Sequence, residues 1–489
     1  MAIGHRRALL LMEVHMAEHC AVVPQTSSAE LPDLLRRNYK DPGVRKRMYE
    51  FLGGSDLRNA TALYITGTDG YSDYHLQSHP ADLPEYLEGA LEVDRSLWDR
   101  ESLIADVDLE YHNFDYPAAP WLDPERAFRL QQPVLDATLQ TLAKAGIAPL
   151  ILVSGRGFHL LWAIRRNSKA FSRLVGLGHV PLSLRAKYMQ PCTPDETRVD
   201  PELGAAFSGH GLVMEFVGHR VLAASMQTCM LAVQPAAIEV GPGTFGREII
   251  SFDLSEYGDA LHTRHIRIPF SAYMKPRQLE WMLGEAEVRR LLPIFEIPLS
   301  DMSPAQVIAA MRDPDKVLEI ARHVSVQIPD QSEPTENLLQ EYQQSDLAEF
   351  HEQFYCQTRQ EVPPSGDLGP ACVQFLLEHP NDWLLKPAAL QHVVRVLMAL
   401  CWSPSAIAQR ICGSYSKDCD WGDTWERLDP CSRSIFYTRL FAGMIVTGLD
   451  KLIDFNCVSH QEKGYCILPE CSSNLILYRD ILLERSRHR

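Results

Sequence analysis

The feature that most constrains the fold is an apolar run interrupted by regularly spaced carboxylates. It lies in the segment SLIADVDLEYHN, residues 102–113. Side chains at positions i and i+2 of a β-strand share one face, so a strand here places Asp106 and Asp108 together and Val107 opposite. Glu110 continues the acidic face, either as a third acid or as a partner of the other two. The segment therefore predicts a strand with one acidic face, and the alternative is a solvated strand end.

Two carboxylates this close on one strand face repel each other, and burial increases the repulsion unless a cation lies between them. Mg²⁺ and Mn²⁺ are hard ions that bind such oxygen ligands. Asp106 and Asp108 therefore predict a divalent-metal site. Because a bare D-x-D pattern is common in proteins, this interpretation depends on the other motifs of the chain.

The chain has 489 residues, which is too long for one ordinary core, and two or three domains are expected. Hydrophobic residues make up 46% and charged residues 22%, proportions that argue against wholesale disorder. The formal net charge of −16 argues against a protein that coats nucleic acid through its overall charge. It is compatible with an enzyme that binds nucleic acid along one basic channel.

Strands and helices are interleaved in the first part of the chain, which predicts the α+β class. An amphipathic helix is predicted to end at Gly146, and residues 302–324 are predicted as one helix. The Pro/Gly-rich segment 361–371 is the best linker. The predicted parts of the chain are residues 1–290, a helical connector and linker over 291–365, and a mostly α-helical domain over 366–489.

The segment SGRGFH, residues 154–159, lies between two apolar runs and predicts a glycine turn between two strands. Glycines allow tight turns in which backbone amides approach a phosphate. Ser154, Arg156 and His159 can donate hydrogen bonds to phosphate oxygens. The alternative is an ordinary hairpin with an incidental histidine. The dinucleotide-binding pattern G-x-G-x-x-G is incomplete, because Leu160 stands where its third glycine would be. The segment also lacks the Gly-Lys-Ser/Thr of a Walker loop.

A lone carboxylate and a basic strand follow later in the chain. Asp253 ends the apolar run IISF, and Arg264, Arg267 and Lys275 lie within the segment RHIRIPFSAYMK. Arginine suits the phosphates of a triphosphate or of a template strand. The alternative is surface charge on an edge strand.

Three aspartates compete for the role of third acid. Asp200 and Asp259 are the alternatives to Asp253. Asp253 is preferred because it ends an apolar run and lies just before the basic strand.

Taken in order, these motifs resemble those of the archaeo-eukaryotic primase superfamily. That family has an apolar run with D-x-D, an S-x-H motif on a strand, an apolar-Asp motif, and a basic R-x-P-[FG]-S strand with a nearby lysine. The matching residues here are Asp106 and Asp108, Ser154 to His159, Asp253, and Arg267-Ile268-Pro269-Phe270-Ser271 with Lys275. The glycine-rich middle motif is similar to that of the primase-polymerases of mobile elements and phages. The resemblance covers roughly residues 60–280.

The resemblance implies a primase-polymerase core over residues 1–290, an RRM-like sheet with helical insertions and a helical N-terminal extension. It implies template-dependent nucleotidyl transfer, which makes or extends primers on single-stranded DNA from NTPs or dNTPs. Asp106, Asp108 and Asp253 would hold two Mg²⁺ or Mn²⁺ ions. The implied nucleotide-binding residues are Ser154, Arg156, His159, Arg264, Arg267 and Lys275. A replicative helicase would be a separate protein, because the chain has no Walker motif.

Cysteines near the C-terminus predict a second metal site. Cys457, Cys466 and Cys471 lie within fifteen residues, a density typical of metal ligands. The fourth ligand is either Cys372, which follows the linker and opens a helix, or His460. This arrangement resembles the helical iron–sulfur domain of the primase large subunit, which implies a 4Fe–4S cluster. The spacings depart from that domain, so Zn²⁺ is an equal alternative.

The chain also carries signals that bear on its location and on competing functions. The chain shows no secretory signal and no apolar stretch as long as a membrane span, so we expect a cytoplasmic protein with no membrane partner. In a reducing compartment cysteines are metal ligands or buried thiols before disulfides, and buried thiols are expected for Cys401, Cys412, Cys419 and Cys431. The alternatives to a primase-polymerase are another D-x-D metal enzyme, such as a nuclease or a nucleotide-sugar transferase, and a non-catalytic nucleic-acid-binding replication subunit.

Overall fold

The structure is a computed structural model that combines α-helices and β-sheets. It describes residues 30–71, 76–191, 198–240, 247–258, 265–300, 302–357, 368–417, 419–466 and 471–487. Strands are found only before residue 300 in the described part of the chain, and the described residues from 371 onward are helical with connecting loops. The predicted α+β class and the helical C-terminal region are therefore confirmed.

The described strands form two sheets. They are β1 Ile65–Thr68, β2 Leu76–Ser78, β3 Glu92–Ser96, β4 Ser102–Asn113, β5 Leu150–Val153, β6 Gly157–Arg165, β7 Ala232–Gln234, β8 Glu248–Asp253, β9 His265–Arg267 and β10 Ile297–Pro298. A four-stranded sheet has the order β2-β1-β3-β9, and a six-stranded sheet has the order β10-β5-β6-β4-β8-β7. Strand β4 is thus paired on both edges, with β6 and β8 as its antiparallel neighbours.

Helices surround the sheets and make up the rest of the described chain. Those before residue 300 are α1 Glu30–Lys40, α2 Pro42–Phe51, α3 Leu83–Glu88, α4 Ala119–Leu122, α5 Pro124–Lys144, α6 Lys169–Leu177, α7 Leu182–Tyr188, α8 Pro201–Ser225, α9 Glu280–Leu283 and α10 Glu285–Leu291. Those after it are α11 Pro304–Ala310, α12 Pro314–His323, α13 Ser332–Gln343, α14 Asp346–Gln357, α15 Ala371–Glu378, α16 Asp382–Leu385, α17 Pro387–Ala399, α18 Pro404–Tyr415, α19 Thr424–Arg427, α20 Pro430–Val446, α21 Cys457–Glu462 and α22 Leu475–Arg487.

The alternation of side chains along β4 determines which face of the six-stranded sheet is covered by helices. Val107 and Tyr111 are buried, and Arg126 of α5 lies over the Tyr111 ring. On the neighbouring strand β6, the Trp162 ring meets His210 of α8 edge to face. Helices α5 and α8 therefore pack on the apolar face, which leaves the opposite face of the sheet to the carboxylates.

Local sequence signals explain the helix boundaries. Helix α5 ends at Lys144, and Gly146 adopts a positive φ of 84° just after it, as predicted. The single helix predicted over residues 302–324 is wrong, because the structure has two helices there. The Asp313 side chain accepts the amide N–H groups of the next helix, and Pro314 occupies its first turn, a combination that starts a new helix.

A buried charged network joins helices from both halves of the chain. Glu215 of α8 is fully buried, and one of its oxygens accepts the Nε–H of Arg439 in α20 at 2.9 Å. Its other oxygen lies 3.0 Å from Nε2 of His351 in α14, whose Nδ1 lies 3.0 Å from the Tyr342 hydroxyl. Burial alone would raise the pKa of Glu215, but Arg439 and His351 outweigh it and hold that pKa at about 2.

The cysteines expected to be buried thiols behave differently from one another. Cys412 of α18 and Cys431 of α20 form a disulfide, with their Cα atoms 5.1 Å apart, so the expectation is wrong for this pair. Cys401 is exposed and Cys419 is half-buried, which corrects the expectation of burial. Among the described helices, none has both the length and the apolar character needed to cross a bilayer.

Candidate active site

The three predicted acids and the predicted histidine lie together on three neighbouring strands. Asp108 on the central strand β4 is directly opposite His159 of β6 on one side and Asp253 of β8 on the other. Directly opposed residues of antiparallel strands carry their side chains on the same face. Asp106, two residues earlier on β4, shares that face. The sheet therefore assembles one cluster from segments far apart in sequence.

His159 sits against the acids. Its Nδ1 lies 3.2 Å from one carboxylate oxygen of Asp106 and 3.9 Å from one of Asp108. Burial would lower the pKa of His159, but Asp106 and Asp108 outweigh it and raise that pKa well above its usual value. His159 is therefore an imidazolium in this arrangement and supplies positive charge to the acid cluster. It was predicted to bind phosphate, and the described structure shows it bound to carboxylates.

Asp108 has the electrostatic environment of a cation ligand. One of its carboxylate oxygens is buried and has no hydrogen-bond partner among the described residues. Burial, together with the neighbouring charges of Glu110, Asp106 and Asp253, raises the pKa of Asp108 well above its usual value. The Asp108 side chain is 22% exposed, and a carboxylate with like-charged neighbours in such a half-buried position is stabilised by a bound cation. The donor set fits Mg²⁺ or Mn²⁺.

The side chains are not drawn together into a closed metal site. Within the described ranges, no three or more His, Cys, Asp or Glu side chains are positioned closely enough to hold a metal ion. Asp253 instead accepts the amide N–H of Ser255 at 2.8 Å. Asp253 and Asp108 are brought together by strand register.

Glu110 acts as the partner of basic residues rather than as a third member of the acid cluster. Its two oxygens accept hydrogen bonds from Nε and Nη2 of Arg156, at 2.8 and 2.5 Å. The Nζ of Lys275 lies 3.9 Å from the same carboxylate. Burial would raise the pKa of Glu110, but Arg156 and Lys275 outweigh it and hold that pKa well below its usual value. Two predicted phosphate-binding cations are therefore anchored beside the acids.

The glycines of the 154–159 turn are needed for close packing. A Cβ on Gly157 would lie 1.8 Å from the carbonyl oxygen of Leu109, and one on Gly155 would lie 2.6 Å from the Tyr273 ring. The turn is closed by the Ser154 amide, which donates to the Gly157 carbonyl at 2.9 Å. Close packing against Leu109 and Tyr273 therefore requires glycine at both positions.

Arg267, which was predicted to bind phosphate, is paired with two carboxylates. It is buried between two carboxylates, Glu92 of β3 and Glu296, and its guanidinium lies over the Tyr273 ring. The side chain is 6% exposed and its guanidinium is paired with these carboxylates, and the assignment of Arg267 to phosphate binding stays a prediction. Arg264, the other arginine of that motif, lies outside the described residues.

The two aspartates that compete with Asp253 for the role of third acid are not shown at this site. Asp200 caps α8 and pairs with Arg166 at 2.6 Å, a structural role. Asp259 lies outside the described residues. Among the three candidates, Asp253 alone is shown beside Asp108 in the described part of the sheet.

The four predicted cysteine ligands line one cavity of about 130 Å³. Cys372, at the start of α15, meets the C-terminal Cys457, Cys466 and Cys471 there, and His460 lines the same cavity. Both candidates for the fourth ligand are therefore present. Among the described residues, these thiols are not drawn into the geometry of metal ligands.

Hydrogen bonds and charge show how these thiols are held. Cys457 accepts the amide N–H of Leu475 at 3.4 Å, and Cys471 accepts that of Ser473 at 3.4 Å. Burial, followed by the nearby Cys466 and Cys471, raises the pKa of the Cys372 thiol to about 12. Such a thiol is protonated unless a cation binds it, because metal ligation requires the thiolate. The donor set fits zinc or an iron–sulfur cluster.

Several residues of the site escaped the sequence interpretation. Glu92 and Asp94 on β3 repeat the i, i+2 spacing of carboxylates seen in β4, a signal that was available. Glu296 had no such signal in the sequence. Burial raises its pKa to about 7, although the charges of His159 and Arg267 oppose that rise. The Tyr257 hydroxyl donates to the Asp106 carbonyl at 3.1 Å, which only the fold reveals.

Comparison with known proteins adds no family to this description. No family model matches the chain, and neither a curated protein nor a solved structure matches it. The function of the site is therefore inferred from its own residues and geometry.

Proposed function

We propose that the chain is a template-dependent nucleotidyltransferase of the primase-polymerase kind. The observation that carries this proposal is the register of the central strands, which puts Asp108 directly opposite both His159 and Asp253. A carboxylate cluster flanked by anchored cations suits a reaction that moves a triphosphate. The core of the six-stranded sheet would then correspond to the primase-polymerase catalytic core.

The acids and the cations have separate tasks in this proposal. Asp106, Asp108 and Asp253 would hold two Mg²⁺ or Mn²⁺ ions, which supply the charge that activates the attacking 3′-hydroxyl and stabilises the leaving pyrophosphate. Arg156 and Lys275, both held by Glu110, would orient the incoming NTP or dNTP through its phosphates. Ser154, in the same turn, would add a hydrogen bond to a phosphate oxygen.

His159 has a role that depends on whether the acids hold cations. In the metal-free arrangement its imidazolium partly neutralises Asp106 and Asp108. If the acids held cations, the His159 imidazole would be available to donate a hydrogen bond to a phosphate oxygen of the nucleotide. In the described arrangement the histidine offsets part of the repulsion between Asp106 and Asp108.

The test of this function is template-dependent synthesis. The purified protein would be incubated with single-stranded DNA, labelled nucleotides and Mg²⁺ or Mn²⁺, with and without a primer. We expect short products from the wild type and none from the Asp106→Ala/Asp108→Ala variant, and the choice of labelled NTPs or dNTPs reveals the sugar preference. Absence of any product from the wild type under all these conditions would contradict the proposal, and cleavage of the DNA would indicate a nuclease.

We further propose that Cys372 or His460, with Cys457, Cys466 and Cys471, holds a Zn²⁺ ion or a 4Fe–4S cluster that braces the helical C-terminal region. The support is the shared cavity, which collects one residue from α15 and others from segments about ninety residues later. In a protein of the proposed function this region would help to bind template and initiating nucleotide.

Elemental analysis tests the cysteine site. We expect wild-type protein purified without oxygen to carry stoichiometric zinc or iron, because four soft ligands converge on one cavity. The Cys457→Ser/Cys466→Ser variant should lose that metal, whereas Cys356→Ser, which changes an exposed cysteine outside the cavity, should keep it. Visible absorption in the wild type would identify a cluster. A wild type that holds neither metal, or a double variant that keeps it, would contradict the assignment.

A further inference from the structure

An exposed aromatic and basic surface lies next to the acid site. Tyr71 is 59% exposed and Trp281, in α9, is 80% exposed. The guanidinium of Arg277 is 5.0 Å from the centroid of the Tyr71 ring, and Arg277 precedes Trp281 by four residues in consecutive helical segments. Large aromatic side chains with arginine are enriched where proteins bind partners. We call Tyr71, Arg277 and Trp281 the aromatic platform.

Two members of the platform, Tyr71 and Arg277, are held in place by their neighbours. Arg277 donates to the Asp69 carbonyl at 2.6 Å, and the Tyr71 amide donates to the Asp69 side chain at 3.0 Å. Gly70 has a positive φ of 86°, and a Cβ there would lie 2.5 Å from that of Met274. The loop that carries Tyr71 is therefore packed closely against the segment that carries Arg277.

A short helical segment connects the platform to the acid site. Lys275, whose Nζ lies 3.9 Å from Glu110, begins the same 3-10 turn that contains Arg277, and Trp281 follows in α9. Six residues of helical chain rise roughly 9–12 Å. Stacked bases are spaced about 3.4 Å apart along one strand, so the rise between Lys275 and Trp281 matches the length of about three stacked nucleotides.

We propose that the aromatic platform binds the unpaired bases of single-stranded DNA, about three nucleotides from the position where Lys275 meets the incoming nucleotide. The inference rests on the proposed function for the placement of the strand relative to the acids. Exposed aromatic rings stack on bases of any sequence, and arginine adds cation–π contact and phosphate binding. The nearby Glu280 and Glu285 contribute negative charge, and Glu280 also hydrogen-bonds the Tyr71 side chain. Stacking rather than overall charge therefore provides the binding.

Anisotropy of a fluorescein-labelled oligothymidylate, without nucleotide or metal, tests the platform on the full chain. We expect Trp281→Ala to weaken binding about tenfold, within the range for loss of one base stack, and Trp281→Phe to retain most of it. Leu182→Ala is the matched control, because Leu182 is an equally exposed apolar residue (82%) on α7. Duplex DNA of the same length should bind wild type and Trp281→Ala equally, since its bases are already stacked.

The outcomes separate this inference from the proposed function. Equal single-strand affinity of wild type and Trp281→Ala would overturn the platform, even if the wild type makes primers. No binding of the oligonucleotide by the wild type would also overturn it, as would self-association that Trp281→Ala abolishes, which would make the surface a protein contact. Binding that depends on Trp281, in a wild type that makes no products, would support the platform and count against the proposed function.

Discussion

Asp108→Asn is expected to abolish nucleotide incorporation while making the metal-free protein more stable. The amide keeps the size of the side chain but removes a negatively charged ligand from the proposed metal site. Divalent cations contribute several kcal/mol to transition states of this kind, so we expect a loss of at least about a thousandfold, or about 4 kcal/mol. Single-turnover primer extension measures this loss.

The expected gain in stability has the same physical cause. Burial and the charges of Glu110, Asp106 and Asp253 raise the pKa of Asp108 in the folded state. The folded protein then binds a proton that the unfolded chain has released, so Asp108 makes stability fall as the pH rises above the usual range for an aspartate. Asparagine does not titrate, and the variant should melt at a higher temperature than the wild type in chelator at neutral pH.

Metal and a surface variant provide the controls for Asp108→Asn. Mn²⁺ should raise the melting temperature of the wild type and leave that of Asp108→Asn nearly unchanged. Asp136→Asn, which alters an exposed aspartate on α5, should behave as the wild type in every assay. A variant less stable than the wild type in chelator would show that Asp108 is not electrostatically strained.

Glu215→Ala is expected to cost about 3–5 kcal/mol in the free energy of unfolding, the range for removing one partner of a buried ion pair. The substitution leaves the buried guanidinium of Arg439 and the ring of His351 without their carboxylate. Since these residues belong to α8, α14 and α20, loss of the network should loosen the packing between the two halves of the chain. Urea denaturation at neutral pH measures the effect.

A second Glu–Arg pair, which also involves helix α8, is the matched control. Arg220 of α8 pairs with Glu341 of α13, but both side chains are about one third exposed, at 38% and 34%. Solvent screens such a pair, and Glu341→Ala should cost less than about 1 kcal/mol. Similar losses for the two variants would show that burial of Glu215 does not strengthen its interactions.

The Glu215 network should also show a defined pH dependence. The pKa of the Glu215 carboxyl is held at about 2 in the folded protein, below the usual 4.5. The stability it contributes is therefore fully present above pH 4.5 and is lost as the pH falls toward 2. The difference in unfolding free energy between the wild type and Glu215→Gln should shrink over that interval and stay constant above it.

The sequence by itself determined the local elements of the candidate site. Strand β4, the turn at 154–159 and strand β8 follow from apolar alternation and glycine spacing, which act between residues close in the chain. The placement of Asp106 and Asp108 on one face needs only the two-residue period of a strand. The cysteines of the C-terminal region were likewise predicted to converge from their density, and they line one cavity.

Only the tertiary structure decided which charged residues are presented and which are buried. Arg267 and Arg156 look alike in sequence, yet the first lies between Glu92 and Glu296 and the second beside the acids at Glu110. The fold sets these partners, which lie 29, 46 and 175 positions apart along the chain. No local pattern encodes such neighbours, because the energy of a buried charge depends on what the fold places around it.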